Sequence, residues 1–142
     1  MTISQSPDER SPVAPRRVSV VNDNPEFLEL MRDILEGDRY EVSIINGEHI
    51  SGIEPIRATA PDLLVVDLRL AQPGDRITGW DIARQIRADP ELARVPMILC
   101  TGAPDEVRER ATELAALPHV EVLAKPFALG ELESMVARLL KA

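Results

Sequence analysis

The segment Leu63-Leu64-Val65-Val66-Asp67 constrains this chain more than any other. Four apolar residues follow one another without alternation, after the turn-forming pair Pro61-Asp62, and the run ends on a carboxylate. A strand with one wet face alternates apolar and polar residues, so an unbroken run reads as a strand covered on both faces, as in a parallel sheet between helices. Comparable runs recur along the chain. Val18 to Val21 stops at Asn22-Asp23-Asn24-Pro25, Tyr40 to Ile45 reads as a second strand, Val95 to Thr101 as a fourth and Val120 to Ala124 as a short fifth.

Between these runs the apolar spacing turns helical. Phe27, Leu28, Leu30, Met31, Ile34 and Leu35 repeat at helical spacing up to Gly37, with Asn24 as N-cap and Pro25 in the first helical position. Glu48 to Ala58 predicts a short helix weakened by Gly52 and Pro55. Gly79 to Ala88 places Trp80, Ile82, Ala83 and Ile86 on one side, Asp105 to Leu117 does the same with Val107, Leu114 and Leu117, and Leu129 to Leu140 is a last amphipathic helix. Strand and helix thus alternate five times, which predicts an α/β fold: a (βα)5 doubly wound, three-layer sandwich on a parallel five-stranded sheet. Residues 1–16, rich in Ser and Pro, read as a flexible tail ahead of a domain spanning 17–142.

Composition narrows the function. A chain of 142 residues with 44% hydrophobic content is one domain's worth and can bury a core. A net charge of −8 with four aromatic residues (Phe27, Tyr40, Trp80, Phe127) argues against direct nucleic-acid binding, which calls for a basic patch or a stacking platform. The lone Cys100 cannot form an internal disulfide, and with only His49 and His119 beside it there is no zinc-ligand spacing. No apolar run approaches the ~18 residues of a membrane span, and the opening MTISQSPDER has no signal-peptide pattern, so a cytoplasmic protein without a membrane partner is expected.

In parallel α/β sheets, ligands bind beyond the carboxyl ends of the strands. The residues at those ends are Asn22 and Asp23 after the first strand, Asp67 after the third, Thr101 after the fourth and Lys125 after the fifth. Singly, each has an ordinary use as helix cap, strand end or solvated charge. Together, two carboxylates, a hydroxyl and an ammonium from separated segments describe a site for phosphoryl chemistry. Asp23 and Asp67 are hard oxygen donors suited to Mg²⁺, while Thr101 and Lys125 can contact phosphoryl oxygens. A carboxylate in such company can act as a nucleophile toward phosphorus and form an acyl phosphate.

At these residues the chain resembles the response-regulator receiver domains of two-component signalling. The resemblance runs from about Arg17 to Leu140 and rests on VSVVNDNPEFLELM, PDLLVVDLRL, MILCTGAP and LAKPF, in that order. It implies the flavodoxin-like strand order 2-1-3-4-5 and a phosphoacceptor role for Asp67, the donor being a histidine kinase or histidine phosphotransfer protein. It further implies Mg²⁺ held by Asp23, Asp67 and the backbone carbonyl of Arg69, with Asn22 contributing through a water. Thr101 and Lys125 would contact the phosphoryl group and shift the face formed by the fourth helix, fifth strand and fifth helix toward a downstream protein. It also implies a cis Lys125-Pro126 peptide, with Phe127 as core behind it. Such a module assists its own phosphorylation and dephosphorylation but is not a turnover enzyme.

Three positions depart from the family pattern. Asn22 stands where the family usually has the first of two acids, which predicts weaker Mg²⁺ binding. Val122 occupies the position, three residues before Lys125, of the usual switch aromatic, which predicts a muted response there. The stretch LRLAQPGDRIT between Asp67 and Gly79 is longer than the usual loop, and it carries Arg69 and Arg76 as candidates to approach the phosphoryl group. The leading expectation is a stand-alone receiver, since Ala142 follows the last helix directly. A pseudo-receiver scaffold that binds its partner without phosphate is the alternative. An aspartate-nucleophile phosphatase ranks lower, because that chemistry needs an acid two residues after the nucleophile, where Arg69 stands.

Overall fold

The computed structural model describes residues 14–47, 50–68, 79–101, 108–109 and 111–141. Its strands are β1 (Arg17–Asn22), β2 (Glu41–Asn46), β3 (Leu63–Asp67), β4 (Met97–Thr101) and β5 (Val120–Ala124). They form one sheet in the order β2-β1-β3-β4-β5, every neighbouring pair parallel. The described helices are α1 (Pro25–Gly37), α2 (Glu54–Arg57), α3 (Gly79–Ala88), α4 (Ala111–Ala115) and α5 (Leu129–Lys141).

The unbroken apolar runs serve two cores at once. Val18, Val20, Leu63, Val65, Ile98 and Cys100 point to one face of the sheet, where Leu28, Met31 and Leu35 of α1 and Leu132, Val136 and Leu140 of α5 cover them. Val21, Leu64, Val66, Met97 and Leu99 point to the other face, against Ile56 of α2 and Trp80, Ile82, Ala83 and Ile86 of α3. Successive side chains of a strand face opposite ways, so a strand buried on both sides must be apolar at every position. All five residues of β3 and all five of β4 are accordingly buried.

Several boundaries differ from the sequence reading, each for a local reason. β1 continues to Asn22, which pairs with Asn46, and β2 is displaced by one residue to match. In the segment predicted as a helix from Glu48 to Ala58, the described helix is the four residues Glu54–Arg57. Pro55 fits only the first turn of a helix, so the helix starts there, and Gly52 lies outside it. Residues 48 and 49 lie outside the described residues, as do 1–13 of the expected tail. β4 begins at Met97 rather than Val95 because Pro96 has no N–H to pair, while the Val95 N–H closes a turn onto the Leu92 carbonyl at 3.1 Å. In the segment predicted from Asp105 to Leu117, α4 covers Ala111–Ala115 and Leu114 and Leu117 pack on the α3 side of the sheet, while 102–107 and 110 lie outside the described residues.

Candidate functional site

Because the strands are parallel, all their carboxyl ends lie at one edge, and the register brings the predicted residues to neighbouring positions there. Val21 pairs with Val66, so Asn22 and Asp67 come next on adjacent strands; Asp67 pairs with Cys100 and Thr101 with Ala124. The ladder runs one residue past the strand ends. The Leu68 N–H donates to the Cys100 carbonyl at 3.0 Å, and the Lys125 N–H to the Thr101 carbonyl at 2.7 Å. These bonds fix the backbone on either side of the acceptor position. The Lys125-Pro126 peptide is cis.

Asp67 is only 4% exposed, and its Oδ2 accepts two hydrogen bonds: from Lys125 Nζ at 2.6 Å and from Asn22 Nδ2 at 2.9 Å. A buried carboxylate is costly unless ion-paired and hydrogen-bonded, and here it is both. Lys125 is about one-third exposed, and its ammonium also stands 5.9 Å from the centroid of the Phe27 ring, within reach of a cation–π attraction. Asn22 is fixed from its other end, since its Oδ1 accepts the Asn24 N–H at 2.8 Å. Asn24 then caps α1 as the sequence predicts, its Oδ1 accepting the N–H groups of Glu26 and Phe27 at 2.9 and 3.2 Å.

The other predicted residues fall as follows. Asp23 follows β1 at the same edge and is partly buried, and Thr101 is the wholly buried last residue of β4. Arg69 and Arg76, with the rest of 69–78, lie outside the described residues. Val122 is partly buried and pairs with Leu99, so a short aliphatic side chain occupies that place. Phe127 packs on the α1/α5 core. The Cys100 thiol is pushed up to about 12 by burial, with the Asp67 carboxylate adding to the shift and Lys125 opposing it. It is therefore an inert thiol at neutral pH.

Three features of the site were not read from the sequence. Phe27, read only as part of the apolar spacing of the first helix, lies under the lysine. Asn22, read as a missing acid, is a hydrogen-bond donor to the acceptor carboxylate. Gly79, read only as a helix start, packs so tightly on the acceptor strand that a Cβ there would stand 2.1 Å from the Asp67 backbone oxygen and 2.7 Å from Leu68 Cα. An unexplained glycine just ahead of Trp80, following the acceptor strand, was the available signal for that contact.

Among the described residues there is no group of three or more His, Cys, Asp or Glu that could hold a metal. No helix among them is long and apolar enough to cross a membrane.

Comparison with known proteins agrees with this geometry. The family model described as the response regulator receiver domain matches residues 18–137. Hybrid signal transduction histidine kinase D of Dictyostelium discoideum is 32% identical over 87% of this chain, and the phosphate regulon transcriptional regulatory protein PhoB of Rhizobium meliloti is 32% identical over 88%. The chain spans 7% of the length of the first and 52% of the second. Among solved structures, the receiver domain of the sensor histidine kinase PA1611 from Pseudomonas aeruginosa, which has a magnesium ion coordinated in its active-site cleft, is 28% identical with a TM-score of 0.70. The match covers 91% of this chain and all of that one. The chemotaxis protein CheY4 of Vibrio cholerae shares the fold at 19% identity and a TM-score of 0.66, over 89% of this chain and 99% of its own. A match that begins in β1, ends within α5 and takes in every strand whose end forms the site leaves one assignment: the chain belongs to the response regulator receiver domain family of two-component signalling.

Proposed function

We propose that this chain is the phosphoacceptor module of a two-component or phosphorelay system, with Asp67 as the phosphorylated residue and its phosphorylation controlling partner binding or onward phosphotransfer. The observation that carries this reading is the 2.6 Å contact of Lys125 Nζ with Asp67 Oδ2, in which a buried carboxylate and a lysine meet at the ligand-binding edge of the sheet. The donor is a histidine kinase or histidine phosphotransfer protein. A carboxylate oxygen of Asp67 forms a bond to phosphorus, the donor's P–N bond breaks, and the departing imidazole nitrogen is protonated, leaving an acyl phosphate. Lys125 places a positive charge against the phosphoryl oxygens, and the Thr101 hydroxyl donates to another of them. The chain thereby assists its own phosphorylation and dephosphorylation without being a turnover enzyme.

The donor set fits Mg²⁺. Asp23 and Asp67, two hard carboxylates at one edge, would hold the ion together with waters and phosphoryl oxygens, and the family resemblance adds the Arg69 carbonyl and a water on Asn22. When bound, Mg²⁺ supplies positive charge that offsets the charge on the phosphoryl oxygens. A cytoplasmic location accords with a kinase donor of this kind, and no nucleic acid or membrane enters the reaction.

The test is incubation with Mg²⁺ and acetyl phosphate, followed by intact-protein mass measurement. Addition of one phosphoryl group to the wild type and none to Asp67→Asn is the expected result. No modification of the wild type under any condition would instead favour a scaffold that binds its partners without phosphate.

A further inference from the structure

We propose that Asn22 is a positioning residue for the acceptor: its side-chain amide holds the Asp67 carboxylate by a hydrogen bond, and because it is neutral the site has a lower affinity for a divalent cation than one with an acid at that position. This rests on the reading of Asp67 as phosphoacceptor.

The orientation of the amide follows from its surroundings. The Asn24 N–H is a donor and can meet only the oxygen of the Asn22 side chain, which it does at 2.8 Å. The nitrogen is thereby aimed the other way, and it donates to Asp67 Oδ2 at 2.9 Å. Asn22 is 3% exposed, so water competes little for either bond. With Lys125 on the same oxygen, the carboxylate is held by donors from the end of β1 and from the chain just past β5, the second of them charged. An aspartate at position 22 could still accept the Asn24 N–H, but its second oxygen would stand where the Asn22 nitrogen now stands, close to Asp67 Oδ2. Two carboxylates in such contact repel unless a cation or a proton lies between them. An acid at 22 therefore sets a second negative charge against the acceptor in a cation-free site, whereas Asn22 gives the acceptor a donor and offers the cation one negative charge fewer.

The isosteric change Asn22→Asp separates this role from turn formation, because it keeps the oxygen that accepts from Asn24 and removes only the donor. Asn22→Ala removes both. Mg²⁺ binding is followed by the fluorescence of Trp80, the chain's one tryptophan, which adjoins the glycine packed on the Asp67 backbone. Modification of Asp67 by acetyl phosphate in saturating Mg²⁺ is followed by mass, and stability by urea denaturation in EDTA and in saturating Mg²⁺. Asn22→Asp is expected to bind Mg²⁺ roughly tenfold more tightly than the wild type, the part of a nearby unit charge that survives solvation. In EDTA Asn22→Asp is expected to unfold at a lower urea concentration than the wild type, with saturating Mg²⁺ closing the gap, and in saturating Mg²⁺ Asn22→Ala is expected to be modified several-fold more slowly than the wild type. Asn22→Ala, which adds no charge, is expected to gain no Mg²⁺ affinity.

Equal Mg²⁺ affinities for the wild type and Asn22→Asp overturn the proposal. So does an Asn22→Asp protein as stable as the wild type in EDTA, or an Asn22→Ala protein modified as fast as the wild type in saturating Mg²⁺. If the wild type is not modified, the assignment of Asp67 fails, and the fluorescence and stability measurements still decide the role of Asn22.

Discussion

Gly79 is the residue whose replacement tests most directly whether the backbone of the acceptor strand positions the site. It opens α3 and is buried against the chain just past β3. A Cβ on it would lie 2.1 Å from the Asp67 carbonyl oxygen and 2.7 Å from both C and Cα of Leu68. Ordinary contacts begin near 3.4 Å, so Gly79→Ala demands a separation of more than an ångström between α3 and the end of β3. Neither neighbour is a side-chain tip that could rotate away; both are backbone, held by the ladder bond from Leu68 N–H to the Cys100 carbonyl. Forced overpacking of this kind costs about 2–4 kcal/mol, a large share of a small domain's stability. The same shift displaces Asp67 relative to Lys125, and an ångström of misplacement at a reacting group costs about a hundredfold in rate. Urea denaturation of Gly79→Ala should show the stability loss, and acetyl phosphate modification of the folded fraction should show the loss of rate. Gly130→Ala in α5 is the control. A Cβ there meets nothing within 4 Å, so it should gain up to about 1 kcal/mol from the removal of a helical glycine. A Gly79→Ala protein within about 0.5 kcal/mol of the wild type and equally reactive would refute the reasoning, because the close approach would then have been relieved without moving the acceptor.

Two further predictions concern groups remote from the site. Arg87 is 9% exposed, and its guanidinium donates to the carbonyls of Pro118 at 2.7 Å, Leu92 at 2.8 Å and His119 at 3.1 Å, and to that of Val95, tying the chain ahead of β4 to the chain ahead of β5. Arg87→Met should cost about 1–3 kcal/mol in urea denaturation, because the Val95 and Pro118 carbonyls lose this donor while those of Leu92 and His119 each keep a backbone N–H, and Arg87→Lys should recover only part of that, since an ammonium lacks the fork. Asp89 Oδ1 accepts from Arg57 Nη2 at 2.6 Å and from Nε at 3.2 Å, and this guanidinium holds the Asp89 carboxyl below its ordinary value of 3.8. A depressed carboxyl stabilises the fold above its unfolded pKa and loses that contribution as pH falls through its folded pKa, so the wild type should exceed Asp89→Asn in stability at neutral pH and the gap should close below about pH 4. A gap that stays constant down to pH 2 would rule out the ion pair as its source.

The fold was legible because its signals are local. Unbroken apolar runs, a helix period between them and the N-cap at Asn24 each lie within a few residues of sequence, and the structure places α3 at Gly79–Ala88 and β5 at Val120–Ala124, where the periodicity puts them. The boundaries that moved did so through bonds between segments. The start of β4 depends on where the Val95 N–H closes its turn, and the end of β1 depends on a ladder partner, Asn46, in another strand. A single sequence does not display such pairings.

The candidate site divides along the same line. That Asp67, Thr101 and Lys125 share an edge follows from strand order alone, since every parallel strand ends there. What Asn22 and Phe27 do follows from side chains meeting across the sheet. Asp67 accepts from Asn22, Asn22 accepts from the Asn24 N–H, Asn24 caps the turn that carries Phe27, and the Phe27 ring faces Lys125, which returns to Asp67. These contacts close a ring through β1, α1, β3 and the chain just past β5, so no member can be displaced without straining the next. A count of charges at the strand ends treats Asn22 as a lost acid and nothing more. The ring assigns it a donor's role, which is why the exchange of one nitrogen for one oxygen at position 22 should be felt both in cation affinity and in the stability of the cation-free protein.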